Sequence, residues 1–200
     1  MCRTMADTAP TLVYRVGGVE IMKELVLVEK EEQLLIRYTV NKSDVKIKLR
    51  FRPFLAFRNM HGLSKANLYA NTRVMFIPNG VKSRLYDGYP FLNMQFSAPV
   101  EFVPAPDWYY GIEYNKELRR GYDYKEDLFV PGYFEMEARK GDVIIFSAST
   151  SETSPDQLKR KFSTEIGKRI PRDSFKNCLA NAAQQFIVKK DKKAEVIAGF

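Results

Sequence analysis

Between Val45 and Arg52 the chain alternates strictly. Val45, Ile47, Leu49 and Phe51 are apolar, and Lys46, Lys48, Arg50 and Arg52 between them are basic. Successive side chains of a β-strand point to opposite faces, so a period of two sets one face in a core and the other in water or against a polar partner. A strand that is wet on one side needs paired neighbours, and the flanking sequence supplies them. Thr11–Val16 and Val19–Val28 read as strands separated by a tight turn at Gly17-Gly18. The charged run Glu29–Glu32 connects to a strand at Gln33–Val40, and Asn41–Asp44 forms the next turn.

Further strands are expected at Arg73–Ile77, Phe91–Phe96, Val100–Val103, Trp108–Tyr114, Tyr133–Arg139 and Asp142–Ala148. Turn residues bound most of them, as at Pro78-Asn79-Gly80 and Lys140-Gly141-Asp142. Ten or so short strands with turns between them imply a mainly β fold, a large antiparallel β-sandwich, rather than a parallel sheet. Eleven Tyr and fourteen Phe favour strands in the same way.

From Ser149 the character changes. Ser149–Pro155 reads as a linker, with a short helix running to about Ile166. Pro171 precedes a second helix, expected to about Val188, whose Phe175, Leu179, Ala182, Ala183 and Phe186 fall on one stripe. Such a stripe needs something to bury it. The chain closes on the apolar run Val196–Phe200, where a free end is usually polar. The expected division is therefore a sandwich over residues 1–150 and a linker with helices over 151–200.

Charge narrows the partners. The formal net charge is +8, which suits a polyanion. Residues 151–200, however, hold eleven Lys/Arg against six Asp/Glu, so much of the excess sits outside the strand region. Lys189–Lys193 reads as a solvated turn. Cys2 and Cys178 are too few and too far apart for a disulfide framework or a Cys-x-x-Cys metal site. With no secretory pattern and no apolar run of membrane-spanning length, the expected setting is cytoplasmic.

Residues 119–132 resist simple periodicity. Trp108-Tyr109-Tyr110 is followed by Arg119-Arg120-Gly121-Tyr122-Asp123-Tyr124-Lys125-Glu126-Asp127-Leu128-Phe129-Val130-Pro131-Gly132. Aromatics, paired arginines and acids without a strand or helix period are expected to form a long functional loop. Together with Phe51–Pro53 and Arg58-Asn59-Met60-His61, this stretch resembles the N-terminal domain of bacterial and archaeal glycogen debranching enzymes, the two-domain amylo-α-1,6-glucosidases. The similarity runs from about Pro10 onward, and Ala183–Val188 with Ile197–Phe200 resembles the family's transition to its catalytic domain.

The resemblance implies a supersandwich-like accessory domain, followed by a C-terminal α-helical segment leading into a catalytic (α/α) barrel. It implies no cofactor and no metal, with branched α-glucan and the barrel as partners. The family's initial Asn-Gly and Arg-Tyr-His segments are not found, so the sandwich is expected to be incomplete at its N-terminus. The catalytic carboxylates would belong to the barrel. This chain would be one part of a glycoside hydrolase and inactive alone.

Several residues are candidates for carbohydrate binding or a domain interface. Arg58 and His61 could shape a polar surface beside a catalytic cleft. His61 is the sole histidine and lacks any sequence partner for base catalysis, so a structural role competes. Trp108 and Tyr110 would share one side of a strand and offer a sugar-stacking face, against burial in a core. Glu126 and Asp127 are adjacent, which does not suit the separated carboxyl pair of a glycosidase. A salt-bridge network with Arg119 and Arg120 that pins the loop is the expected alternative, and Tyr124 on the same stretch is a further binding or interface candidate. A free-standing carbohydrate-binding domain is a second reading. A basic β protein for single-stranded nucleic acid is a third, opposed by the absence of RNP-like or Gly-x-x-Gly motifs. No nucleic-acid or membrane partner is expected.

Overall fold

The computed structural model describes residues 2–6, 8–190 and 193–197. A meander opens the chain with β1 (Cys2–Ala6), β2 (Pro10–Val16), β3 (Val19–Leu27) and β4 (Gln33–Lys42). Then come β5 (Ile47–Phe51), β6 (Val74–Ile77), β7 (Gly80–Ser83) and β8 (Leu92–Phe96). Two long strands, β9 (Glu101–Glu113) and β10 (Lys125–Ala138), flank the short helix α1 (Asn115–Arg119), and β11 (Val143–Ser149) follows. A 3-10 turn at Pro155–Gln157 leads into α2 (Leu158–Gly167), then α3 (Phe175–Gln184) and a hairpin of β12 (Ile187–Lys190) and β13 (Lys193–Val196).

Eight strands form one antiparallel sheet in the order β1-β2-β3-β4-β11-β8-β7-β6, and three form another, β5-β10-β9. The two pack through a shared aromatic core. Phe96 stands 5.2 Å from Phe51, 5.0 Å from Phe134 and 5.0 Å from Phe146, centroid to centroid. Val40, Met94, Phe102, Phe129, Met136 and Ile144 surround it. Tilted and edge-on rings at these distances add to what area burial alone supplies. The mainly β, antiparallel sandwich expected from the alternation is the observed architecture.

Three local readings change. Val45 lies outside β5, held in the turn by a 2.6 Å hydrogen bond from Ser43 Oγ to its carbonyl. The two strands expected at Val100–Val103 and Trp108–Tyr114 are one strand, β9, which runs through Pro104 and Pro106. Proline supplies no ladder N–H, and β9 can carry two because it is the sheet's edge. The expected irregular loop over 119–132 is the end of α1, a turn, and half of β10.

The hidden strand has a physical reason. On β9 an extra residue stands between Tyr109 and Ile112, which pair with Leu128 and Glu126, and another between Pro104 and Asp107, which pair with Gly132 and Val130. Bulges of this kind disturb the strand period. On β10 the core residues Phe129 and Phe134 are an odd number of residues apart, so the alternation slips between them. Gly132 marks the slip with φ +150°, and a Cβ there would stand 2.2 Å from the Val103 carbonyl oxygen.

The first C-terminal helix, expected to end near Ile166, is α2 and packs on the sheet. Leu158 and Phe162 of α2 are buried with Val26, Val28, Leu35 and Ile145 on the outer face of the large sheet. The Arg37 guanidinium carbon stands 4.5 Å from the Phe162 ring centroid, and its Nε and Nη2 each donate to Glu24 at 2.6 Å. The second helix stops at Gln184 rather than near Val188, and its Phe175 and Leu179 are 80% and 55% exposed. Of the terminal segments, Asp191, Lys192 and Ala198–Phe200 lie outside the described residues. Among the described residues no helix is long and apolar enough to cross a membrane.

The two helices should respond oppositely to truncation. Phe162→Ala removes a fully buried ring and is expected to cost about 3–5 kcal/mol of unfolding free energy. Phe175→Ala is expected to stay within about 0.5 kcal/mol, as for an exposed position. Urea titrations of both variants check this pair.

Candidate functional site

The most concentrated polar chemistry centres on Glu126, whose side chain is fully buried near the start of β10. Its Oε1 accepts from the Ser64 backbone N–H and hydroxyl, both at 2.9 Å, and from Arg58 Nε. Its Oε2 accepts from the Tyr114 hydroxyl at 2.5 Å and from Arg58 Nη2 at 3.1 Å. A buried carboxylate survives only when paired and hydrogen-bonded, and here every donor is aimed at it.

The same cluster secures a long connection. Between β5 and β6 the chain runs without regular structure, and Leu55 touches β10 through reciprocal backbone bonds to Phe129 of 2.8 and 3.2 Å. Asp127 takes the connection further, accepting from Ala66 N–H at 3.0 Å and from Gly111 N–H at 2.9 Å. Asn67 then accepts from Tyr69 and Ala70 N–H at 3.0 and 3.1 Å, and donates to the Tyr86 hydroxyl at 2.8 Å. Adjacent acids on one strand therefore tie down the 52–73 connection on one side and the β9 bulge on the other.

Electrostatics follow from this geometry. Burial alone would push the Glu126 carboxyl up, yet donation from Arg58, Ser64 and Tyr114 outweighs it and holds the group at about 2. Arg58 is correspondingly raised by its bond to Glu126, and so is Tyr114, first by that hydrogen bond and then by burial. Asp127 is lowered by the amides of Ala66 and Gly111. Both acids are ionised at neutral pH and committed to donors.

The expected site residues separate into groups. Arg58, Glu126 and Asp127 do meet in one network. Arg119 and Arg120 do not join it. Both are exposed, and Arg120 stacks on Tyr122 at 4.9 Å instead. Tyr124 contributes only a backbone carbonyl, which accepts from Tyr114 N–H at 2.9 Å. His61 is exposed, with its backbone N–H bonded to Asn59 Oδ1 at 2.9 Å.

Trp108 and Tyr110 do not share a face. Trp108 packs edge-on against Phe129 at 5.4 Å in the core, while Tyr110 is 70% exposed. The bulge at Tyr110-Gly111, with Gly111 at φ +66°, turns the ring outward. Ser64 and Tyr114 were missed, because a serine in a polar loop and a tyrosine at a strand end carry no pattern that marks them. Among the described residues no group of three His, Cys, Asp or Glu could hold a metal ion.

Residues 3–145 match the family described as "Glycogen debranching enzyme N terminal". The chain belongs to that family. By its description, the family is that of the N-terminal region of glycogen debranching enzymes. No curated protein matches it closely. Among solved structures it is similar to a bacterial glucoamylase complexed with acarbose, at 12% identity and a TM-score of 0.45. That match covers 84% of this chain and 28% of the glucoamylase chain, so the chain spans under a third of that relative's length.

Because the native value of about 2 lies below the ordinary 4.5, Glu126 stabilises the fold fully above about pH 4.5 and loses that contribution as pH falls toward 2. A Glu126→Gln variant should be less stable than the wild type at pH 7, and the gap should close over that window. The pH-dependent part is on the order of 3 kcal/mol. Denaturant unfolding at pH 7, 4 and 2.5 measures it, and a gap independent of pH would contradict the assignment.

Proposed function

We propose that this chain is the accessory β-sandwich region of a glycogen debranching enzyme of the amylo-α-1,6-glucosidase type. It buttresses a catalytic (α/α) barrel and helps present branched α-glucan to it. In this reading residues 1–150 are the sandwich unit, and residues 151–200 connect it to the barrel. The family match over residues 3–145 carries the proposal.

The chemistry of the acidic pair supports a non-catalytic role. Glycoside hydrolysis needs one carboxyl protonated to donate to the leaving oxygen and a second across the bond. Glu126, at about 2, holds no proton at neutral pH and is sealed from solvent by its donors. Asp127, its neighbour, is occupied by two backbone amides. The pair is better suited to fixing a surface than to cleaving a bond. The exposed stripe of α3 supports a helical partner beyond the sandwich, since Phe175 and Leu179 find no burial among the described residues. Tyr110 is the one candidate aromatic that keeps an open ring for a sugar face.

The purified chain is expected to release no glucose from a branched limit dextrin. It should bind that dextrin with an affinity nearly independent of salt, because a neutral sugar displaces no counterions. Calorimetry at low and physiological ionic strength, with glucose release assayed in parallel, tests both points. Glucose release abolished by Glu126→Gln would overturn the non-catalytic reading. Oligonucleotide binding that is tight at low salt and vanishes near physiological salt would favour the nucleic-acid reading instead.

A further inference from the structure

The two layers are unequal. The large sheet has eight strands and the small one three, and they lie over one another in the same direction. Phe102 of β9 meets Phe76 of β6 at 6.3 Å, and Phe51 of β5 meets Tyr38 of β4 at 4.8 Å. A strand added beyond β5 would therefore lie over β4 and β3, where Leu27 is exposed, Leu34 and Tyr38 are half-buried and only Ile36 is buried.

That partly open face is apolar apart from Lys23. Residues directly opposite across a ladder share a face, and the pairs Leu27–Leu34, Leu25–Ile36, Lys23–Tyr38 and Tyr14–Ile21 run across β2, β3 and β4. Leu27 is 70% exposed and Tyr14 40%. Between this face and β5 opens a cavity of about 590 Å³ lined by Leu34, Ile36, Tyr38, Phe51, Phe57 and Met94 among others. Burial on its wall lifts the Tyr38 hydroxyl to about 12. Its charged lining residues are Lys23, Arg50 and Arg52, with no acid among them.

The edge of β5 is also open. Among the described residues β5 pairs with β10 alone, so the backbone groups on its other side have no ladder partner, as on any edge strand. Lys48 and Arg50 of β5, with Lys46 and Arg52 just beyond its two ends, form an outward basic row. Lys46 pairs with Glu137, and Lys48 and Arg50 pair with Glu135 across β10. Arg52 bonds the Tyr109 hydroxyl and has no carboxylate partner among the described residues.

We propose that this edge is a β-augmentation site. Its occupant is an extended polypeptide segment that pairs with β5, turns alternate apolar side chains onto the Leu34–Ile36–Tyr38 face and sets acidic side chains beside Arg50 and Arg52. Backbone pairing supplies the affinity in this mode, and the alternate side chains supply the selectivity. A free apolar anion fits less well, because it would cover the open backbone groups of β5 without bonding them. A second copy pairing edge to edge fits less well too, because it would set two basic rows opposite each other. The site rests on the unequal sheets and not on the debranching assignment.

The probe is a blocked nonapeptide of alternating Val and Glu. Its controls are the Val/Lys counterpart, the same Val/Glu peptide with its amide nitrogens methylated, and dodecanoate. The Val/Glu peptide is expected to slow amide exchange of residues 47–51 at least tenfold and to shift the Tyr38 resonances, with the chain remaining monomeric. The methylated peptide should do neither. Arg52→Glu alters an exposed side chain and should weaken the Val/Glu peptide about tenfold while strengthening Val/Lys. Three results would overturn the proposal: dodecanoate filling the cavity while the Val/Glu peptide leaves the β5 amides unprotected, equal effects of the methylated peptide, or concentration-dependent dimers that protect β5 without any peptide.

Discussion

A carboxylate with no exposed surface is the constraint around which one end of this molecule is arranged. Glu126 draws Arg58 and Ser64 from the connection after β5 and Tyr114 from the turn after β9 onto one residue of β10. Desolvating a charge is unfavourable unless several donors converge on it, so these segments have little freedom in how they cross. Asp127 extends the same logic to Ala66 and to the Gly111 bulge. Removing either acid leaves aligned donors without an acceptor, which costs more than the bonds themselves are worth.

The remainder of the fold is organised by faces. The large sheet is apolar on both sides over β3, β4 and β11: one side meets the small sheet and the cavity, and the other takes α2. Such a sheet cannot read as a clean alternation, because both of its faces are buried in part. The small sheet behaves differently. Its inner side carries Phe51, Phe134 and Met136 into the core, and its outer side carries the Lys48–Glu135–Arg50 group and the Arg50 guanidinium 4.2 Å from the Tyr133 ring. The partly open strip beside β5 follows from the mismatch in strand number.

For function, the structure separates two kinds of polar cluster that look alike in sequence. A catalytic pair of carboxyls is held apart, with one proton available and water at hand. The Glu126–Asp127 pair is adjacent, ionised and bonded to chain on both sides. Its effect is to hold the 52–73 connection and the β9 bulge in one shape. A surface fixed in this way loses little freedom when something binds to it.

The sequence alone carried the antiparallel, mainly β fold, because the Val45–Arg52 alternation and the turn residues between strands are local properties of a wet-faced sheet. Family membership was legible in the residues around Arg58 and Glu126 for the same reason. It carried the second half of β10, expected at Tyr133–Arg139, but not the first half, where the period is broken as Gly132 meets Val103 and β9 holds two extra residues. A slip of register depends on the neighbouring strand, and no window on one strand contains it. Nor did it carry the partners of Glu126, since Arg58 is 68 positions away and Ser64 is 62. The nearer arginines at 119 and 120 were the natural choice on spacing, yet α1 and the turn after it carry them into solvent. Only the tertiary structure could decide which cation reaches a buried acid, because that depends on which distant segments the packed sheets bring over it.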